Sequence, residues 1–150
     1  MTGRPKILIT GKDGQLGRVL VHVMATLGHV VAIGREQCDL ADSAAITDMV
    51  RGIQPNVIIN PAAYTAVDNA ERDAERAFAV NATAPAVMAE LANEAGAAMI
   101  HYSTDYVFDG QKQTPYVEGD QTNPLSTYGK SKCDGERAVR RRQPGAHDAR

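Results

Sequence analysis

The run Lys6-Ile7-Leu8-Ile9-Thr10 breaks at Gly11, and glycine returns at positions 14 and 17 as a helical pattern opens. Few chain paths accommodate that combination. A short apolar run stopped by glycine reads as a buried strand. Glycines three apart, between a strand and a helix, read as a tight turn that brings bare backbone to a helix N-terminus. Gly11 permits the sharp turn, Gly14 lets backbone approach a pyrophosphate, and Gly17 lets the helix lie close on the sheet. The free N–H groups and partial positive charge at that helix start suit a phosphate. A plain glycine-rich turn would share the pattern; the strand before it and the helix after it favour a dinucleotide site.

The rest of the chain repeats the alternation. Gln15 to Leu27 suits a helix, with Leu16, Leu20 and Met24 on one side and Gly28 as its stop. His29 to Ile33 is a second strand, and Gln37 to Leu40 reads as a short third. Asp42 caps a helix to Ile53. Val57 to Asn60 is a fourth strand, Glu71 to Ala95 a long Ala-rich helix with a kink expected at Pro85, and Ala98 to Ser103 a fifth strand. A loop from Phe108 to Pro124 precedes a last helix, Ser126 to about Arg140. Strands that are apolar throughout, alternating with helices, predict an α/β fold with a doubly wound parallel sheet of the Rossmann type, covered on both faces.

The 150 residues fit one domain, residues 1–140, followed by a polar tail, residues 141–150, in which no strand is expected. A doubly wound sheet should continue with another apolar strand, so the sheet is expected to be C-terminally incomplete. Its open edge would invite pairing with another chain, which leaves a homo-oligomer open. The net charge of −2 excludes a global electrostatic case for nucleic acid or a membrane surface. The start carries no secretory pattern and no stretch approaches membrane-spanning length, so a cytoplasmic location is expected. Cys38 and Cys133 have no Cys or His at metal-ligand spacing; free thiols and no metal are expected.

Gly34-Arg35-Glu36 ends the second strand, where an adenosine ribose would lie. Arg35 would pair with a 2′-phosphate and favour NADPH, whereas Glu36 would accept from a ribose hydroxyl and favour NADH. Asp39 and Leu40 are placed to touch an adenine. Small residues in Asn60-Pro61-Ala62-Ala63-Tyr64 would let a nicotinamide pass close to backbone. Ser103-Thr104-Asp105 ends the fifth strand on the ligand side, and a hydroxyl there can hold a substrate carbonyl. Val67 and Asp68 lie near the same cleft, although a turn with a capping Asp is the simpler reading. Tyr128 and Lys132 are four apart on one helix face. A nearby ammonium favours the phenolate, so the pair is a candidate proton donor for carbonyl reduction, with Thr104 orienting the carbonyl.

Gly11 to Gly17, Asp39-Leu40, Asn60 to Asp68, Ser103 to Gly110 and Tyr128 to Lys132 together resemble dTDP-4-dehydrorhamnose reductases, a family of extended short-chain dehydrogenase/reductases. The stretches Ala-Tyr-Thr-Ala-Val-Asp and Ser-Thr-Asp-Tyr-Val-Phe-Asp-Gly are far more specific than the glycine turn. The resemblance runs from about Lys6 to Arg140. It implies reduction of the 4-keto group of dTDP-4-dehydro-L-rhamnose to dTDP-L-rhamnose with NADPH or NADH. It implies Thr104, Tyr128 and Lys132 as the catalytic triad, and Gly11, Asp13, Gly14, Gln15, Leu16, Gly17, Asp39, Leu40, Ala62, Ala63 and Tyr64 around the cofactor; the residue reading adds Arg35, Tyr128 and Lys132 to that set. Val67, Asp68, Thr104 and Asp105 would face the substrate. Pro61 stands where the family usually has Ala. Family members are about twice as long and carry a C-terminal substrate domain, so the chain reads as a truncated copy, expected to be inactive alone. A non-catalytic NADP-binding subunit, like the regulatory subunit of methionine adenosyltransferase, is the alternative, as is an inactive fragment.

Overall fold

Each strand is about as short as its apolar run. The computed structural model describes residues 3–142 and 148–149. Among them lie β1 (Lys6–Ile9), β2 (His29–Ala32), β3 (Val57–Asn60), β4 (Ala98–Tyr102) and β5 (Asp148–Ala149). The helices are α1 (Gln15–Met24), α2 (Ser43–Ile53), α3 (Val67–Ala70), α4 (Ala74–Phe78), α5 (Ala84–Ala95) and α6 (Thr127–Arg142). The strands pair in the order β2-β1-β3-β4-β5, every pair parallel.

Strand alternation sorts the apolar side chains into two cores. Leu8, Ile58 and Met99 point to one face and pack with Ile46 and Val50 of α2, Met88 and Ala92 of α5 and Val139 of α6. Ile7, Ile9 and Ile59 point to the other, against Leu20, Val21 and Met24 of α1. Helices therefore cover both faces, as the doubly wound reading predicts. The chain leaves β1 towards β2 on one side and returns to β3 on the other. That reversal opens a crevice beyond the C-terminal ends of β1 and β3, where ligands bind in open α/β sheets.

Four expectations are corrected. The first helix ends at Met24, because the N–H groups of Leu27 and Gly28 turn back onto its carbonyl at 2.9 and 3.1 Å. Gln37 to Leu40 forms no strand. The N–H groups of Gln37 and Cys38 bond the Gly34 carbonyl and Gly34 N–H bonds Gln37 Oε1, so a local turn uses the groups a sheet would need. The long helix expected from Glu71 starts only at Ala74, after the separate α3, and is divided into α4 and α5, with the break before Pro85. Pro85 has no N–H to return to the carbonyl four residues back, and the chain widens into a π turn over Ala79–Thr83, with Ala84 N–H reaching Ala79 O. Lastly, the tail contributes β5, which pairs His101 with Asp148 and Tyr102 with Ala149, so β4 is not the sheet edge. Residues 143–147 and 150 of that tail lie outside the described residues.

Candidate active site

The glycine turn closes so tightly that side chains are excluded from it. Gly11 has φ +60°, and a Cβ there would stand 3.0 Å from the Cα and Cβ of Ala62, across the crevice. A Cβ on Gly17 would stand 2.0 Å from the Gly11 carbonyl oxygen. Gly14 is the N-cap of α1 in extended conformation and makes no side-chain cap bond. The helix thus presents its first N–H groups to the crevice without a local acceptor from the cap, the arrangement that binds phosphate.

A cleft of about 730 Å³ runs from this turn across the strand ends. It is lined by Gly11, Asp13, Gly14, Gln15, Leu16, Gly17, Arg35, Asp39, Leu40, Ala62, Ala63 and Tyr64, all named from sequence, and by Cys38 and Arg76, which were not. Arg76 Nη2 donates to both carboxylate oxygens of Asp39 at 2.8 and 3.1 Å. The Ala41 N–H first, and the Arg76 bond second, hold the Asp39 carboxyl below its ordinary range. Asp39 is therefore an ionised acceptor in the cleft wall. Burial pushes the Cys38 thiol up, and Asp42 and Asp39 add to it, so it stays protonated beside the cleft.

The proton-transfer candidates sit at the other end, outside that cleft lining. Tyr128 lies in the first turn of α6, 8 % exposed, packed with Ala70 and Ala77 and against Tyr64 and Val67. The Tyr106 ring meets it edge-on at 5.5 Å. Burial raises the Tyr128 phenol above its ordinary value; a hydrogen bond with Thr104 pulls it down, and Asp105 and Tyr106 push it up. This corrects the expectation of a lowered phenol. In the chain without ligand, the cost of burying a phenolate outweighs the favourable contacts. Lys132 is only 2 % exposed, and its Nζ donates to the Tyr102 carbonyl at 2.6 Å, at the end of β4. Thr104 follows β4 and caps the short 3₁₀ turn Asp105–Val107. Of the residues expected to face a substrate, Asp68 and Asp105 are exposed, and Val67 packs into the cluster beneath Tyr128.

Asn81 joins the two ends, and sequence reading missed it. The π turn aims its side chain inward, 1 % exposed. Its Oδ1 accepts from Tyr64 N–H at 2.8 Å, and its Nδ2 donates to Tyr64 O and to Ser131 Oγ, each at 3.0 Å. One amide thus ties the loop after β3 to the helix of Tyr128 and Lys132. A π turn frequently marks a functional site, but no local spacing announces one. The nearest signal in sequence is Asn81 four residues before Pro85 within a helical run.

A second buried chain runs beneath the strand ends. Thr10 Oγ1 donates to Asn60 Oδ1 at 2.5 Å, and Asn60 Nδ2 faces His101 Nδ1 at 3.2 Å. That places the ring proton on Nε2, which is buried with no hydrogen-bond partner. His101 is accordingly neutral. Burial, then the Lys132 ammonium, push it from 6.5 to about 3. The unfolded chain binds this proton below about pH 6.5 and the folded chain does not, so stability is complete above that pH and falls on acidification. The expected slope is about 1.4 kcal/mol per pH unit, before carboxylates begin to protonate. Urea midpoints taken from neutral to mildly acidic pH should show it, and His101→Gln should flatten it. An equally steep slope in that variant would exclude His101 as the source.

The family model described as RmlD substrate binding domain matches residues 5–150. The chain belongs to this family. A dTDP-4-dehydrorhamnose reductase of Burkholderia thailandensis is 47 % identical over 134 residues, 89 % of this chain and 45 % of that one. The crystal structure of a dTDP-4-dehydrorhamnose reductase from Clostridium acetobutylicum superposes with TM-score 0.91 at 39 % identity, covering 95 % of this chain and 51 % of that one. That of Bacillus anthracis, in complex with NADP, gives TM-score 0.91 at 31 % identity and covers 97 % and 52 %. This RmlD-family chain therefore spans about half the length of the relatives it matches. Among the described residues no helix is long and apolar enough to cross a membrane, and no group of three or more His, Cys, Asp or Glu could hold a metal ion.

Proposed function

We propose that this chain carries the cofactor cradle and the proton donor of an NAD(P)H-dependent reductase for the 4-keto group of dTDP-4-dehydro-L-rhamnose, giving dTDP-L-rhamnose. The observation that carries the reading is the continuity of the site. A glycine turn with an uncapped helix start opens a cleft that runs past Asp39 to Tyr64, and Asn81 ties Tyr64 to the helix of Tyr128 and Lys132. The cradle fits a dinucleotide, because Gly11 packs against Ala62 and Gly17 against the Gly11 carbonyl too closely for any side chain, so bare backbone and the start of α1 face the cleft. When bound, the reduced nicotinamide supplies hydride to the carbonyl carbon.

The chain's own groups manage the oxygen. Tyr128, held protonated by burial, donates its hydroxyl proton to the carbonyl oxygen as that oxygen gains charge. Thr104, hydrogen-bonded to Tyr128, orients the carbonyl and shares the developing negative charge. Lys132, anchored on the Tyr102 carbonyl, supplies the positive charge that stabilises the phenolate left behind and holds the nicotinamide ribose. Arg35, exposed at the adenine end of the cleft, favours NADPH over NADH by offering a guanidinium to a 2′-phosphate. The buried free thiols Cys38 and Cys133 suit the reducing cytoplasm.

The test separates binding from turnover. Calorimetry or fluorescence with the 150-residue chain should show saturable binding of NADPH, and weaker binding of NADH. Turnover of dTDP-4-dehydro-L-rhamnose by these residues alone should stay well below about 1 s⁻¹, because the sugar must be held to within a fraction of an ångström and the relatives use twice this length of chain. No saturable binding of either cofactor at millimolar concentration would sink the reading.

A further inference from the structure

The first turn of α6 is held from outside its own sequence. Ser126 gives it a local cap, its Oγ accepting from Gly129 N–H at 3.0 Å. The Thr127 N–H is served instead by Glu71, 56 residues earlier, at the C-terminal end of α3. Glu71 Oε1 accepts from Thr127 N–H at 2.7 Å, and Oε2 accepts from Thr127 Oγ1 at 2.7 Å. Both lengths belong to charge-assisted bonds, and a carboxylate at a helix N-terminus also suits the helix dipole. Glu71 is itself fixed, because Arg72 and Asp73 turn back onto the Asn69 carbonyl at 3.0 and 2.9 Å. On the opposite side the turn has no slack: a Cβ on Gly129 would stand 2.3 Å from the Tyr106 carbonyl oxygen. The residue between Thr127 and Gly129 is Tyr128.

We propose that Glu71 is a positioning residue for Tyr128: its two-oxygen grip on Thr127 sets the seat of the phenol against the α3–α4 segment. Without it the first turn frays, as helix ends lacking partners do, and the phenol leaves the cluster of Ala70 and Ala77. The two Thr127 bonds hold the Glu71 carboxyl below the ordinary carboxylate range, so the grip persists through neutral pH. The inference rests on the proposed function only for the use made of Tyr128; its readout needs neither cofactor nor turnover.

The experiment follows Tyr128 directly. Tyrosines are labelled with ¹³C at Cζ in the full chain, the Tyr128 signal is identified by its loss in Tyr128→Phe, and its titration is recorded with rising pH. In Glu71→Ala the Tyr128 midpoint should fall towards that of an exposed tyrosine, by about half a pH unit or more. Glu71→Gln keeps an acceptor for Thr127 N–H and a donor for its hydroxyl, and should restore most of the parent value. The double variant Glu71→Ala/Thr127→Ala should shift no further than Glu71→Ala, because both remove one interaction. An unmoved midpoint in Glu71→Ala with native circular dichroism would overturn the proposal even if melting temperature dropped. So would additive shifts, or no rescue by Gln. Should Glu71→Ala fail to fold, Thr127→Pro decides, because at the first helical position it removes both the N–H and the hydroxyl that Glu71 holds: a fall in the Tyr128 midpoint supports the proposal, and none overturns it. A parent chain that binds no NADPH yet shows the expected shifts would refute the reductase reading alone.

Discussion

Replacing Gly17 with Ala is expected to abolish cofactor binding and to destabilise the chain by about 3 kcal/mol. The added Cβ would stand 2.0 Å from the Gly11 carbonyl oxygen, 2.8 Å from its carbonyl carbon and 3.0 Å from Lys12 Cα. All three are backbone atoms, so no side chain can swing aside. Relief requires the turn to open and α1 to slide off β1, which removes its N–H groups from the phosphate position and breaks the contact of Leu20 with Ile7 and Ile9. Gly52→Ala is the control. A Cβ at Gly52, inside α2, meets nothing within 4 Å, and Ala there should stabilise by up to about 1 kcal/mol. Denaturant unfolding and NADPH titration of the two variants side by side give the answer. Near-parental NADPH affinity in Gly17→Ala would show that the turn is not the phosphate cradle.

The second large effect is chemical. Tyr128→Phe keeps the ring, its edge-on contact with Tyr106 and its place in the cluster with Ala70 and Ala77, and removes only the hydroxyl. In a polypeptide that turns over the 4-keto sugar nucleotide, kcat should fall by about 10²–10⁴, the range for loss of a positioned proton donor. Cofactor affinity should change little, since the cleft between the glycine turn and Asp39 is untouched. That split between kcat and binding separates a proton donor from a residue that merely shapes the site. Turnover within a few-fold of the parent would remove Tyr128 from the mechanism.

The neutral His101 and the protonated Tyr128 share a cause. Both are buried near the end of β4, close to the buried Lys132, and in both the uncharged form is favoured by the cost of desolvating an ion. Sequence spacing places Tyr128 and Lys132 on one helix face but carries no information about dielectric surroundings. A lowered phenol pKa was therefore the reasonable expectation and the wrong one for the chain without ligand. In the proposed reading, a bound oxidised nicotinamide would add its positive charge to that of Lys132 beside Tyr128.

Local spacing by itself determined the strands at Lys6, His29, Val57 and Ala98, the cap at Asp42, the glycine turn, and the helix that carries Tyr128 and Lys132. Each is legible because its physical cause lies within a few residues: period-two or period-3.6 burial, a capping oxygen, or a backbone that only glycine can adopt. The tertiary structure alone decided the partners that hold the site in shape. Arg76 reaches Asp39 across 37 residues, Asn81 reaches Ser131 across 50, and Glu71 reaches Thr127 across 56. The tertiary structure also decided that Gln37 to Leu40 turns rather than extends, because Gly34 offered nearer hydrogen-bond partners than a neighbouring strand. Whether such groups meet depends on how helices cross the sheet, and a single sequence records that crossing only through packing that the whole chain must complete.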